Sequence, residues 1–124
     1  MINVSKYISI PYKDKGQSFD GCDCLGLVRL VLKEEFAKEL PRFEYQSADN
    51  TMINERLINV NLPTIQAEKV DKPIPGDIVV MNGHIGIFVN PGSVLHTTRG
   101  IGTCCEPIDR PRLRGRIKGF YRVA

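Results

Sequence analysis

Asp23-Cys24-Leu25-Gly26-Leu27-Val28 is the stretch on which the reading of this chain turns, because it sets a thiol at the start of an amphipathic helix. Cys24, Leu27, Val28 and Val31 recur at helical spacing, and Leu32, Phe36 and Leu40 widen the apolar face. The segment before it, Gly16-Gln-Ser-Phe-Asp-Gly-Cys22, is rich in turn formers, so the helix is expected to begin near Asp23, most simply as its N-cap. It is expected to end at Leu40, where Pro41 forbids continuation. A cysteine in the first turn feels the unpaired N–H groups and the positive end of the helix dipole. Both favour thiolate over thiol, and thiolate is the reactive form.

Upstream, Val4 to Pro11 is a lead-in that ends in Ile-Pro-Tyr12, followed by the polar turn Lys13-Asp-Lys-Gly16. Downstream, Arg42 to Val70 is the least regular part. Ser47 to Asn50 offers helix caps there, Met52, Ile53, Leu57 and Ile58 predict a short amphipathic helix, and Pro63 interrupts anything longer. The second half changes character. Ile78–Met81 and His84–Val89 read as strands joined by the two-residue turn Asn82-Gly83. Val94–Thr98, Thr103–Ile108 and Ile117–Val123 follow as further strands, separated by glycine-rich turns. A helix first and hairpin-linked strands afterwards predict an α+β fold, an antiparallel sheet with the cysteine-bearing helix packed on one face. A length of 124 residues fits one domain, residues 1–124, with a single core.

Apolar content of 42% and charged content of 25% are those of an ordinary soluble globular protein, and the net charge of +3 is mild. The basic run Arg110-Pro-Arg-Leu-Arg-Gly-Arg116-Ile-Lys118 reads as a solvated loop joining two strands. Lacking aromatic interleaving or a nucleic-acid motif, it gives no reason to expect a nucleic-acid partner. Met1 to Ile10 lacks the pattern of a secretory signal, and no apolar segment approaches membrane-spanning length. Synthesis in the cytoplasm without stable membrane insertion is therefore expected. The four cysteines fall as Cys22-x-Cys24 and Cys104-Cys105, a spacing that suits neither a disulfide framework nor paired zinc ligands. Adjacent Cys104 and Cys105 in a strand point to opposite faces. No metal or cofactor is expected.

His84 and His96 are the only histidines, each inside a strand-like run. Strand alternation puts His84, Gly86 and Phe88 on one face and Ile85, Ile87 and Val89 on the other. A glycine beside a histidine permits close approach of another backbone. With the Cys24 helix packed over Gly86, its first turn would come down beside His84 and give the thiol a base. His96 on the neighbouring strand would then fix the tautomer of His84. Taken singly, a buried cysteine is usually an inert core residue and a strand histidine usually satisfies a carbonyl. The order Cys, His, His on a helix start and two strands is the more specific pattern.

Together these segments resemble the NlpC/P60 papain-like cysteine peptidases, a superfamily of bacterial and phage cell-wall hydrolases. The resemblance is carried by Ile-Pro-Tyr12, Phe19-Asp-Gly-Cys-Asp-Cys-Leu-Gly-Leu-Val28, Pro75-Gly-Asp77, Gly83-His-Ile-Gly-Ile-Phe88 and Leu95-His96. The string Asp-Cys-Leu-Gly-Leu-Val-Arg-Leu-Val, closed by Leu40-Pro41, is similar in particular to the phage tail-associated branch. The resemblance implies Cys24 as nucleophile, His84 as general base and acid, and His96 as the residue orienting it. It implies that Tyr12 lines the pocket and that Asp23 holds a substrate amine. The implied substrate is the peptide stem of peptidoglycan, cut between D-glutamate and the diamino acid, with phage tail-tip proteins as partners. Leu25 departs from the serine that often follows the cysteine in the family, so specificity does not carry over with the chemistry. Two other classes remain alongside this one: a structural tail component with vestigial activity, and an acyltransferase or amidase on another substrate.

Overall fold

Alternation in the second half of the chain builds a six-stranded antiparallel sheet, and the helix of the first half covers one of its faces. The computed structural model describes residues 2–40, 67–90 and 92–123. The short helix expected around Met52 to Ile58 and the stop at Pro41 lie outside the described residues. In chain order the elements are α1 (Ser5–Ile8), β1 (Gln17–Ser18), β2 (Gly21–Cys22), α2 (Cys24–Phe36), β3 (Ala67–Val70), β4 (Ile78–Met81) and β5 (His84–Val89). They continue with β6 (Ser93–Thr98), β7 (Gly102–Pro107), α3 (Pro111–Arg114) and β8 (Ile117–Val123). The sheet runs β3-β8-β4-β5-β6-β7, and β1 and β2 form a separate two-stranded ribbon. The fold is α+β, as the residue pattern requires.

The hairpin of β4 and β5 pairs Met81 with His84 across Asn82-Gly83 and Val80 with Ile85 beyond it. That register sorts the side chains. Ile78, Val80, Ile85, Ile87, Val89 and Leu95 join Leu27, Val28, Val31 and Leu32 of α2 in the main core. Val79, Met81, Phe88 and Val94 pack on the other side with Leu113 of α3. Four α2 side chains have no exposed surface, and each such burial stabilises by about 1.5–3 kcal/mol relative to exposure. Asp77 ties the two ends of the sheet region together. It accepts from Ile74 N–H at 2.8 Å and from Arg122 Nε and Nη2 at 2.9 Å each, joining the Pro-Gly-Asp turn to β8.

The helix stops four residues earlier than its apolar periodicity predicts. Ala37 adopts the left-handed conformation, and Lys38 N–H bonds back to Leu32 C=O at 3.0 Å. These closures satisfy the last-turn carbonyls without proline. Leu40 is buried all the same, carried there by the turn rather than by the helix. Five short elements escape pattern reading: α1 within the lead-in, β1 and β2 of the ribbon, the edge strand β3, and α3 inside the basic run expected as a loop. None is long enough to show a period. In the basic run, α3 takes Pro111 at its start and anchors itself by the buried Leu113, leaving Arg110, Arg112 and Arg114 exposed.

Candidate active site

Asp23 shapes the start of α2. In an extended conformation, it accepts from Gly26 N–H at 2.7 Å through Oδ1 and from Lys15 N–H at 3.0 Å through Oδ2. The cap thus joins the helix to the preceding turn, and Gly16 C=O adds a bond from Asp23 N–H at 3.2 Å. Gly26 is required by the same contact. A Cβ there would stand 1.8 Å from Gly16 O, a backbone atom that cannot yield. Asp23 has no exposed surface, and each of its oxygens already accepts a backbone proton.

Cys24 follows the cap and retains 1% exposure. Backbone hydrogen bonds from Ile85, Leu25 and Cys24 itself favour its thiolate, as the helix-start argument predicts. Burial outweighs them, and with the nearby Asp23 charge it pushes the thiol up to about 12. Burial thus acts against the thiolate that the helix start favours. Ile85 is the residue next to His84, so the sulfur reaches β5 beside the histidine.

His84 Nε2 and His96 Nδ1 are 2.8 Å apart, with the rings edge to face. Burial, then the charges of His96 and Arg116, pull His84 down to about 3. His96 is likewise lowered by burial, opposed by Glu106. Both imidazoles are neutral at pH 7 and hold one ring proton each. Their contact is not made under the helix. Gly86 lies on the histidine face, where an added Cβ would meet Val94 Cγ2 at 2.6 Å, Leu95 O at 3.0 Å and His96 Cβ at 3.1 Å. The glycine makes room for His96 and Val94 of β6, whereas α2 packs on the Ile85 side. The helix-over-Gly86 expectation is corrected accordingly. The β5–β6 ladder ends at Ile87↔Leu95, short of His84, and the Cys24–Ile85 contact lies beyond that end.

Tyr12 bridges to Cys22 through the backbone, two residues ahead of Cys24. Its hydroxyl donates to Asp14 Oδ1 at 3.3 Å, and the Arg99 guanidinium, paired with Asp14, lies 5.0 Å from the ring centroid. Two residues beside the histidines were not anticipated. The β6–β7 register sets Cys104 opposite His96 and Glu106 opposite Val94 on the histidine face. Cys104 Sγ lies 3.6 Å and Glu106 Oε2 3.7 Å from His96 Nε2. Counting back from the Arg99–Ile101 turn finds both, given the Thr98↔Gly102 closure. Cys105 turns the other way, against the helix-side core, as alternation predicts.

The NlpC/P60 family model matches residues 9–122. The chain belongs to the NlpC/P60 family. Among curated relatives, it is similar to the murein DD-endopeptidase MepS/murein LD-carboxypeptidase of Escherichia coli (strain K12), 24% identical over 128 residues covering 99% of this chain. The O157:H7 counterpart gives the same figures. The chain spans 61% of the length of these relatives. Among solved structures, an NLP/P60 family protein described as similar to lipoprotein, from Staphylococcus aureus, superposes with a TM-score of 0.62 at 19% identity. That match covers 95% of this chain and 38% of the other, and it confirms the NlpC/P60 fold. No helix among the described residues is long and apolar enough to cross a membrane.

Proposed function

We propose that this NlpC/P60 domain is a cysteine endopeptidase that hydrolyses the peptide stems of peptidoglycan through a thioester. The observation that carries the reading is the 2.8 Å contact between His84 Nε2 and His96 Nδ1 beside a helix-start cysteine. When His84 donates its Nε2 proton to His96, its Nδ1 presents a lone pair, the arrangement a general base needs. The Cys24 proton passes to His84 Nδ1 as sulfur adds to the scissile carbonyl. Because the resting pair is neutral, transfer and attack are coupled. In this reading, backbone N–H groups around the start of α2 stabilise the developing oxyanion. His84 then gives the proton to the leaving amine, and a water deprotonated by His84 cleaves the thioester.

In this reading Tyr12 lines the pocket, and Asp23 holds the cap and the Lys15 turn at its edge. The bond assigned is that between D-glutamate and the diamino acid. The Asp-Cys-Leu-Gly-Leu-Val string supports placing the domain at a phage or prophage tail tip, where other tail proteins bring it to the wall. The deciding experiment is a muropeptide digest followed by mass spectrometry, with Cys24→Ala as control. New termini at D-glutamate, absent with the variant, are expected. Acyl transfer to an added amine without hydrolysis, or equal fragments from the variant, would overturn the reading. Isolated chain acting as fast as intact tails would overturn the tail dependence alone.

A further inference from the structure

We propose that His96, Cys104 and Glu106 form a zinc site whose occupation switches off the imidazole of His84. This rests on the peptidase reading only for its functional consequence. The site itself stands on three ligand atoms gathered on one face of the β6–β7 hairpin. His96 Nε2 lies 3.6 Å from Cys104 Sγ and 3.7 Å from Glu106 Oε2, and Cys104 Sγ lies 3.9 Å from Glu106 Oε1. Tetrahedral zinc, with bonds of about 2.3 Å to sulfur and 2.0–2.2 Å to nitrogen and oxygen, sets its ligand atoms about 3.4–3.6 Å apart. Taken as one atom from each residue, the three ligand atoms lie within 4.8 Å of one another, so a movement of up to about an ångström closes the set. The ligand types are also the ones zinc selects: thiolate, imidazole and carboxylate.

A second observation marks the place. Glu106 Oε2 is buried with no hydrogen-bond partner among the described residues, although Arg112 Nη2 holds the companion Oε1 at 2.7 Å. A buried carboxylate oxygen left unsatisfied costs free energy that a cation at His96 Nε2 would recover. Cys104 is half-buried, which leaves a route inward, and water or a substrate atom completes the fourth position. Binding releases the Cys104 thiol proton.

The consequence for the reaction follows from where protons can sit. A neutral His96 with zinc on Nε2 carries its proton on Nδ1 and donates it across the 2.8 Å contact to His84 Nε2. His84 must then hold its own proton on Nδ1, the atom assigned to receive the proton of Cys24. Zinc thus reverses the tautomer pair without touching the sulfur. The metal-free pair runs the other way, with His96 Nε2–H directed at Glu106.

The test is a zinc titration of the full chain labelled with 15N-histidine, with binding measured calorimetrically. Zinc is expected to shift His96 Nε2 and to move the His84 proton from Nε2 to Nδ1. Cys104→Ala should weaken binding by more than about 100-fold, because losing even a group behind the ligands costs about 10- to 100-fold. It should leave metal-free turnover intact and make turnover resistant to zinc. Glu106→Gln serves as a second ligand variant. Cys24→Ala should bind zinc normally. Binding that survives Cys104→Ala, disappears with Cys24→Ala, or leaves the His84 proton unmoved overturns the proposal. Failure of metal-free chain to cut stem peptides falls on the peptidase reading instead, while the binding and proton measurements still decide the zinc site.

Discussion

At Cys24 two influences of opposite sign meet: backbone N–H groups favour the thiolate, and burial with the Asp23 charge opposes it more strongly. In the uncomplexed chain, alkylation of Cys24 by iodoacetamide is therefore expected to be slow at pH 7, with its midpoint far above the usual thiol range. A rate plateau already present at pH 7 would contradict the neutral resting pair. Cys24→Ala should lower turnover by at least about 10⁴-fold, as loss of a catalytic nucleophile does. His84 shapes the acid side. Held near 3 rather than 6.5, it stays unprotonated well below pH 6, so under the proposed mechanism the acid limb of kcat/KM should fall under that value. The same shift affects stability. The unfolded chain takes up this proton more readily than the folded one, so the contribution is lost as pH falls from about 6.5 towards 3. Thermal midpoints followed across that window should decline, and less steeply in His84→Asn.

Two glycines set how the elements meet. Gly26→Ala drives a methyl into Gly16 O at the helix start and is expected to cost about 1–3 kcal/mol or more, since backbone rather than a side chain must retreat. Chemical denaturation reads this directly. Gly86→Ala presses on Val94 and His96 instead, so it should lower kcat more than it raises KM, with the His84–His96 proton signal displaced. The contrast explains what the residues reveal alone. Periodicity finds α2 and the β4–β5 hairpin because their apolar positions repeat over several turns or pairs. It misplaces the end of α2, where a left-handed Ala37 closes the helix, a conformation alanine does not advertise. It reads Gly86 as room for the helix because alternation gives the face of a residue but not what the neighbouring strand brings to it.

At the scale of the whole molecule, Asp77 ties the turn before β4 to β8. Asp77→Ala removes an acceptor for Ile74 and Arg122 together and should lower the thermal midpoint more than Arg122→Ala, because Asp77 is buried and Arg122 is half-buried. Equal effects would show that the ion pair, not the turn contact with Ile74, carries the loss. Sequence order made the triad candidates visible, since Cys24, His84 and His96 sit on recognisable elements. The neighbours Cys104 and Glu106 were hidden because they become adjacent only through the β6–β7 register. The sulfur of Cys24 also leans on Ile85, a residue from the far half of the chain. During translation the helix emerges long before β5, so a ribosome-bound fragment ending ahead of His84 carries the cysteine but no proton acceptor for it. Under the proposed mechanism, such a fragment cannot turn over substrate until the second half is made.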